Sequence, residues 1–142
     1  MVRRVDLMTL FAAALLASSQ GHARIFTRCK LFKELRRYNF PRSLLANWVC
    51  LVEQASNRTT GKIEYHNNGY TSYGIFQIND KDWCKKERKG GTCMVKCDDL
   101  LNDDLTDDAR CAKRIYDRMG FKPWAPSYVY CNAKSLPNLS KC

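Results

Sequence analysis

Eight cysteines constrain the fold of this chain more than any other feature of its sequence. They are Cys29, Cys50, Cys84, Cys93, Cys97, Cys111, Cys131 and Cys142. An even number of cysteines behind a secretory leader predicts a framework of four disulfides, but the count leaves the pairing open. A zinc site is the alternative, because Cys93 and Cys97 have a loosely ligand-like spacing. No CxxC pair or neighbouring histidine supports zinc, and an oxidising compartment favours disulfides.

The first 23 residues have the features of a secretory signal peptide. Two arginines precede an apolar stretch over residues 7–17, and the segment ends in small residues up to Ala23. The apolar stretch is too short to cross a hydrocarbon layer of about 30 Å as a helix, and no other stretch is a candidate transmembrane segment. We therefore expect residues 1–23 to be cleaved and residues 24–142 to be secreted to the extracellular space as one domain.

The chain is strongly basic, with a formal net charge of +10. The predicted leader carries two arginines and one aspartate, so the mature chain keeps +9. A basic secreted protein is attracted to anionic surfaces such as bacterial envelopes and acidic glycans. The basic residues are scattered, and no nucleic-acid-binding motif is present. We expect an envelope or glycan partner and no specific nucleic acid.

Hydrophobic periodicity predicts helices on both sides of a small sheet. Apolar residues recur at helical spacing in three segments, at residues 28–38, 44–55 and 105–118. Ser43 and Thr106 are the predicted N-caps of the second and third of these helices. The Asn-Asn-Gly sequence at 67–69 predicts a hairpin turn between short strands within 61–79. This order of elements predicts an α+β fold.

Four segments of the sequence resemble those of a known protein family: NWVC at 47–50, YGIFQIN at 73–79, WC at 83–84 and CAKRI at 111–115. Together they resemble the landmark segments of C-type lysozymes and α-lactalbumins, the insect branch in particular. The resemblance covers the mature chain, and the cysteines follow the family's order. It implies a lysozyme-like fold with a helical lobe and a small antiparallel sheet lobe. It also implies four disulfides, Cys29–Cys142, Cys50–Cys131, Cys84–Cys97 and Cys93–Cys111.

The same resemblance implies a glycosidase cleft with a carboxylic acid and an ionised carboxylate roughly 5 Å apart. The family's acid position is Ala55 in this chain, and its second carboxylate position is Ser72. Glu53 lies about 200° around the predicted helix from Ala55 and is expected to face away from the cleft. Glu64 and His66 lie opposite the cleft's central residues on the predicted hairpin, but neither replaces the buried acid. We therefore expect a non-catalytic protein without useful muramidase activity.

The resemblance implies that the sugar-binding positions are largely retained. The matching residues are Gln77, Asn79, Trp83, Trp124 and the backbone carbonyl of Pro123. A sugar packs its C–H face on an indole ring without any catalytic carboxylate. Asp82 replaces an aromatic platform and Arg118 stands where an acidic residue often contacts sugar; these changes favour shorter or anionic glycans. The alternative interpretation of both tryptophans is core packing.

Six aspartates lie within residues 98–108 of this basic chain. The segment resembles the calcium loop of α-lactalbumins and calcium-binding lysozymes. By that resemblance the Ca²⁺ ligands are the side chains of Asn102, Asp107 and Asp108 and the carbonyls of Asp99 and Asp104. Asn102 stands where aspartate is usual, so the expected affinity is lower. The alternative is that Asp107 and Asp108 only favour the start of a helix.

From these features we expect a secreted, monomeric, non-catalytic protein. Its expected ligand is bacterial cell-wall peptidoglycan or another oligosaccharide containing N-acetylglucosamine, and its expected role is innate antibacterial defence. One alternative is an α-lactalbumin-like regulatory or gamete-associated interaction protein, which the acidic segment favours. Another is residual muramidase activity that depends on Glu64. Sequons for N-glycosylation occur at Asn57 and Asn138.

Overall fold

A computed structural model describes residues 23–142; the predicted signal peptide, apart from its last residue, lies outside the described residues. The α-helices are α1 (Arg28–Arg37), α2 (Leu45–Ser56), α3 (Thr106–Met119) and α4 (Ala125–Tyr128). The strands are β1 (Ile63–Tyr65), β2 (Thr71–Tyr73), β3 (Ile78–Asn79), β4 (Cys84–Lys85) and β5 (Val95–Lys96). Short 3₁₀ turns span Arg42–Leu44, Cys97–Leu100 and Lys122–Trp124. The predicted α+β fold is confirmed.

Strands β1, β2 and β3 form an antiparallel sheet in that order. The turn between β1 and β2 contains Gly69 at φ +88°, a conformation that suits glycine. It is closed by a hydrogen bond from the Gly69 N–H to the His66 carbonyl and by one from the His66 N–H to the Tyr70 carbonyl. The predicted hairpin is therefore confirmed. Strands β4 and β5 pair in parallel as a separate two-stranded unit.

Both predicted N-caps are wrong. Residues Arg42–Leu44 form a 3₁₀ turn that leads directly into α2, so Ser43 lies inside this turn and the cap position falls on Leu44. Helix α3 begins at Thr106 itself. The Thr106 hydroxyl donates to Asp104 Oδ1 at 2.6 Å, and its N–H donates to the same oxygen at 2.9 Å. Asp104 therefore satisfies both donors of Thr106, the first residue of α3.

Trp48 of α2 is the centre of the core and is 1% exposed. Its ring packs edge-on against Phe40 and Phe76, with centroids 5.0 and 5.8 Å away. It packs in the same way against Phe121 and Trp124 at 4.9 and 5.3 Å. Such edge-to-face pairs are favourable beyond their buried area. They fix α2 against both the segment that follows β2 and the C-terminal region, and so fix the position of Ala55 near the end of α2.

All eight cysteines are paired, which excludes the zinc alternative. The pairs are the four implied by the resemblance: Cys29–Cys142, Cys50–Cys131, Cys84–Cys97 and Cys93–Cys111. Two of these bonds close long stretches of chain, and two fix the region around β4, β5 and α3. Crosslinks of this kind stabilise a small domain mainly by restricting its unfolded chain. No helix within residues 23–142 is long and apolar enough to span a membrane.

Candidate functional site

One face of the three-stranded sheet carries a row of polar side chains. Glu64 of β1, Ser72 of β2 and Asn79 of β3 are direct cross-strand neighbours, so their side chains lie on the same face. His66, two residues beyond Glu64, shares this face. We call the face formed by Glu64, His66, Ser72 and Asn79, with the cavity that adjoins it, the cleft.

Lys62 connects the cleft to the end of α2. Its Nζ donates a hydrogen bond of 2.7 Å to the carbonyl oxygen of Ala55 and lies 3.4 Å from the Glu64 carboxylate. Ala55 is 4% exposed, so its methyl group packs in the interior. The position implied for a catalytic acid therefore holds a methyl group beside a lysine ammonium. Sequence reasoning missed Lys62, because only the folded structure shows how far a lysine side chain reaches.

His66 and Ser72 form a hydrogen-bonded pair. His66 Nε2 lies 2.9 Å from Ser72 Oγ. The imidazole stacks on the Tyr70 ring, with centroids 4.3 Å apart and planes inclined by 26°. Ser72 is 6% exposed. The predicted placement of Glu64 and His66 opposite the central residue of the cleft is confirmed.

Glu53 does not face the cleft. Its carboxylate lies 3.0 Å from Arg28 and 3.6 Å from Arg58. These ion pairs hold it against the start of α1. The prediction from helix geometry that Glu53 faces away is confirmed.

Three of the five predicted sugar contacts line one cavity of about 320 Å³. They are Asn79, Trp83 and Pro123, and the wall also includes Tyr70, Asp82 and Lys122. Trp83 is 6% exposed, so it presents only part of its ring. Tyr70 and Lys122 escaped the sequence analysis. Alternation from Ser72 along the hairpin would have indicated Tyr70, whereas no sequence signal singles out Lys122.

Gln77 and Trp124 lie beside this cavity rather than in its wall. Gln77 adopts φ +50° and its Nε2 donates to the carbonyls of Lys62 and Gly74 at 3.1 and 2.8 Å. Its Oε1 is buried and has no partner within residues 23–142. Trp124 is 5% exposed and its Nε1 donates to the Phe76 carbonyl at 2.7 Å. In the structure both side chains support the cleft from within, and the core-packing alternative describes Trp124 well.

Asp108 is the most unusual residue of the acidic segment. It is 1% exposed, and neither carboxylate oxygen has a hydrogen-bond partner within the described part of the chain. Burial raises the pKa of Asp108 well above its usual value. An unpartnered buried carboxylate is costly unless a cation or a proton neutralises it.

Two other side chains proposed as Ca²⁺ ligands from the resemblance, Asn102 and Asp107, make hydrogen bonds to nearby residues. Asn102 Oδ1 accepts from the Asp104 N–H at 3.0 Å, and Asp107 pairs with Arg110 at 2.6 Å. Hydrogen bonds from Thr106 lower the pKa of Asp104. Within residues 23–142 no group of three or more His, Cys, Asp or Glu side chains is arranged to hold a metal ion. The buried, unpartnered carboxylate of Asp108 fits a cation, and the full ligand set of Asp99, Asn102, Asp104, Asp107 and Asp108 stays a prediction.

A protein-family model described as the C-type lysozyme/alpha-lactalbumin family matches residues 24–142. The chain belongs to this family. The lysozyme of Bombyx mori is 46% identical over 136 residues, which cover 95% of this chain and 98% of that protein. Lysozyme c-1 of Anopheles gambiae is 42% identical over 139 residues, with 95% and 99% covered. A calcium-binding lysozyme from equine milk matches in structure with a TM-score of 0.71 and 35% identity, over 83% of this chain and 95% of that one.

Membership of the C-type lysozyme/alpha-lactalbumin family contradicts one expectation. The chain was expected not to be an enzyme, because Ala55 and Ser72 stand at the implied carboxylate positions. Its relatives in Bombyx mori and Anopheles gambiae, matched over nearly their whole length, are named lysozyme, which is the name of an enzyme. None of the comparisons shows that catalytic residues are lost. The expectation was wrong because it equated two side-chain identities with the absence of turnover, which they do not measure.

Proposed function

We propose that the cleft binds a glycan that contains N-acetylglucosamine, with bacterial cell-wall peptidoglycan as the principal ligand. The observation that carries this proposal is the cavity beside the polar sheet face. It combines an indole wall from Trp83 with the neighbouring residues Asn79 and Pro123. An apolar wall with a few polar groups is the usual composition of a site for a small organic ligand.

The charge of the chain supports the same ligand. Lys122 and Lys81 stand on the cavity wall with Asp82, so the local balance is positive. The formal charge of +9 on residues 24–142 attracts the whole molecule to an anionic wall. Charge then brings the protein to the surface, and the cavity selects the sugar.

Retention on insoluble peptidoglycan tests the proposal. We expect the wild type to sediment with peptidoglycan and Trp83→Ala to remain largely in solution, because the indole wall is lost. Since Trp83 is nearly buried, Trp83→Phe is a second variant that preserves an aromatic wall and is expected to bind at an intermediate level. Tyr130→Ala is the control, because Tyr130 is 62% exposed and lies outside the cavity wall. Equal retention of all four folded proteins would exclude the cavity as the binding site.

We also propose that the first 23 residues direct secretion and that the mature protein acts as a monomer in antibacterial defence. The support is the signal-peptide pattern together with the match of the family model to residues 24–142. N-terminal sequencing of the protein secreted from cultured cells is expected to begin at Arg24. Gel filtration is expected to give a mass near that of one chain, and bacterial challenge is expected to raise expression. A mature N-terminus elsewhere would contradict the assigned boundary.

Hydrolysis of the bound glycan is a second candidate activity, favoured by the name lysozyme that the relatives carry. The carboxylate closest in register to Ser72 is Glu64. We infer that its carboxylate stabilises positive charge that develops on a sugar in the cleft. We expect the wild type to clear a suspension of bacterial cell walls and Glu64→Gln to lose this activity, while both bind equally. Clearing that is unaffected by Glu64→Gln would remove Glu64 from the reaction.

Calcium is a proposed structural ligand of the acidic segment. The support is the unpartnered, buried Asp108 and the likeness to a calcium-binding lysozyme. The hydrogen bonds that Asn102 and Asp107 make in the structure compete with Ca²⁺ for these side chains, which lowers the expected affinity. In protein stripped with EDTA, added Ca²⁺ is expected to release or absorb heat and to raise the melting temperature. A titration with no heat and no rise in melting temperature would exclude the site.

A further inference from the structure

We propose that Ser72 and His66 form a nucleophile and base pair that cleaves carboxylic esters. The two residues face each other across the hairpin: Ser72 lies in the middle of β2, and His66 immediately follows β1. The 2.9 Å contact between Ser72 Oγ and His66 Nε2 is within the range for proton transfer from a hydroxyl to an imidazole. This chemistry differs from glycoside hydrolysis and needs no carboxylic acid at Ala55.

The imidazole is held in place by two contacts. Its Nε2 faces Ser72, and its ring is stacked on Tyr70. When Nε2 accepts the serine proton, the neutral ring carries its own hydrogen on Nδ1. Stacking restricts the ring to one plane, so Nε2 is aligned with the hydroxyl before a substrate arrives. Such preorganisation is what activates an otherwise weak serine nucleophile.

Asn79 supplies a hydrogen-bond donor on the other side of Ser72. It is the direct cross-strand neighbour of Ser72 on β3. Its Oδ1 accepts from the N–H groups of Lys81 and Asp82, each at 3.1 Å, which fixes the orientation of the amide. Its Nδ2 has no protein acceptor among the side-chain hydrogen bonds of residues 23–142 and is available to a ligand. An asparagine amide in this position is a suitable donor to the oxyanion of a tetrahedral intermediate.

The reaction has two steps, the acylation and then the deacylation of Ser72. Ser72 Oγ attacks the ester carbonyl carbon while His66 Nε2 takes the hydroxyl proton. The carbon–oxygen bond to the alcohol then breaks, and His66 returns that proton to the leaving oxygen. Water, activated by His66, attacks the acyl-serine, the acid leaves, and the Ser72 hydroxyl is restored. Water is the only co-reactant.

The substrate class follows from the cavity next to the pair. Asn79 and Tyr70, which flank Ser72 and His66, also line the cavity with Trp83. A sugar held against Asn79 lies next to Ser72, because the two residues are direct cross-strand neighbours, and the expected substrates are O-acetyl esters of amino sugars. This choice of substrate rests on the proposed glycan binding; the nucleophilic pair itself does not.

Covalent labelling with phenylmethylsulfonyl fluoride tests the pair directly. Attack by Ser72 forms an oxygen–sulfur bond and releases fluoride, and His66 takes the proton. We expect a single adduct on the folded protein, located by peptide mass spectrometry on Ser72. His66→Gln is expected to reduce the labelling rate at least tenfold. An adduct on another residue, or no adduct, would overturn the proposal.

Hydrolysis of p-nitrophenyl acetate provides the second measurement. Ser72→Ala and His66→Gln are each expected to lower the rate at least tenfold, whereas Ser135→Ala, at an exposed serine outside the cleft, is the control and keeps the wild-type rate. Equal rates for all four proteins would show that the ester is cleaved elsewhere and overturn the assignment. If Ser72→Ala does not fold, as judged by circular dichroism, the site of the sulfonyl adduct and the His66→Gln rate decide.

The two proposals fail in distinguishable ways. Retention on peptidoglycan without labelling of Ser72 would remove the esterase and leave glycan binding. Labelling of Ser72 without retention would support the nucleophilic pair and remove the amino sugar as its substrate. Release of acetate from O-acetylated peptidoglycan by the wild type, absent in Ser72→Ala, is the result expected when both hold.

Discussion

The side chain of Lys62 decides what chemistry residue 55 supports. Its ammonium lies against the Ala55 carbonyl and beside the Glu64 carboxylate. A carboxyl group introduced at residue 55 would be nearly buried, which raises its pKa, but would also lie close to this cation, which lowers it. A general acid needs the raised value. The pKa of a carboxyl group at residue 55 therefore depends on Lys62.

This coupling between Lys62 and residue 55 predicts that single and double substitutions change the rate of cell-wall clearing by different amounts. The double substitution Ala55→Glu with Lys62→Met is expected to raise the clearing rate by about 10²–10⁴-fold over wild type, the usual contribution of a general acid. Ala55→Glu alone is expected to give a smaller gain, because Lys62 keeps the new carboxyl ionised. Lys62→Met alone is the control. Equal rates for the single and double variants would show that Lys62 does not control this position.

Asp108 is a second residue whose surroundings predict the direction in which a substitution changes stability. Its buried carboxylate lacks partners, so we expect Asp108→Ala to raise the free energy of unfolding in EDTA by roughly 1 kcal/mol or more. The same variant is expected to lose any stabilisation by Ca²⁺. Chemical denaturation with and without Ca²⁺ measures both effects.

Asp103 provides the matched control for Asp108. Its carboxylate accepts from Thr60 Oγ1 at 2.8 Å and from the Arg24 N–H at 3.2 Å. Asp103→Ala is therefore expected to destabilise the protein in the same medium. A destabilised Asp108→Ala would show that the carboxylate has a partner in solution.

Among the elements, the hairpin and the segment after it depend on two glycines with positive φ. Gly69 has φ +88° and open space around the position of a Cβ, whereas Gly74 has φ +77° and packs directly against the Leu100 carbonyl. Gly74 therefore lets the end of β2 approach the 3₁₀ turn Cys97–Leu100. Both glycines have a positive φ that disfavours a side chain, but only Gly74 also lacks room for one.

Substitution of each glycine by alanine separates these effects. Gly69→Ala is expected to cost about 1 kcal/mol of unfolding free energy, because only the left-handed backbone opposes a side chain. Gly74→Ala is expected to cost several times as much, since the new methyl group meets backbone that cannot rotate away. Thermal melts of the two variants measure the difference. Equal losses would contradict the close packing at Gly74.

The elements also show what the sequence predicts and what it does not. The faces of α1, α2 and α3 and the turn at Gly69 were predictable, because periodicity and turn chemistry act over a few residues. Ser43 and Thr106 failed as caps because the path of the preceding chain decides where a helix begins. The family motifs indicated Ser72, Asn79 and Trp83. Lys62 and Lys122 join the site through long side chains from segments brought together only by folding.

At the scale of the whole molecule, the positive charge and the cleft are expected to contribute separately to the proposed glycan binding. Charge acts over about 10 Å at moderate ionic strength and is screened by salt, whereas contacts inside a cavity are much less sensitive. The formal charge of +9 is spread over residues 24–142, and the cavity is a local feature of their surface. The two contributions can therefore be separated by the choice of medium and glycan.

Salt titration on two polymers makes this separation. Between about 0.05 and 1 M NaCl we expect binding to anionic peptidoglycan to fall at least tenfold. Binding to chitin, an uncharged polymer of N-acetylglucosamine, is expected to change less than twofold, and Trp83→Phe is expected to weaken it at every salt concentration. Loss of chitin binding in high salt would show that charge alone retains the protein.

The disulfide between Cys29 and Cys142 also changes the topology of the chain. It joins residues 113 positions apart, so the backbone from 29 to 142 is a covalent ring. One peptide bond cut by a protease inside this ring leaves a single linked molecule rather than two fragments. Cys50–Cys131 lies within the ring and closes a smaller one, so a cut in a loop of the sheet lobe leaves both ends of the break attached to the helical lobe. A nicked molecule therefore gains only the mass of one water molecule and keeps the linkage between its lobes until its disulfides are reduced.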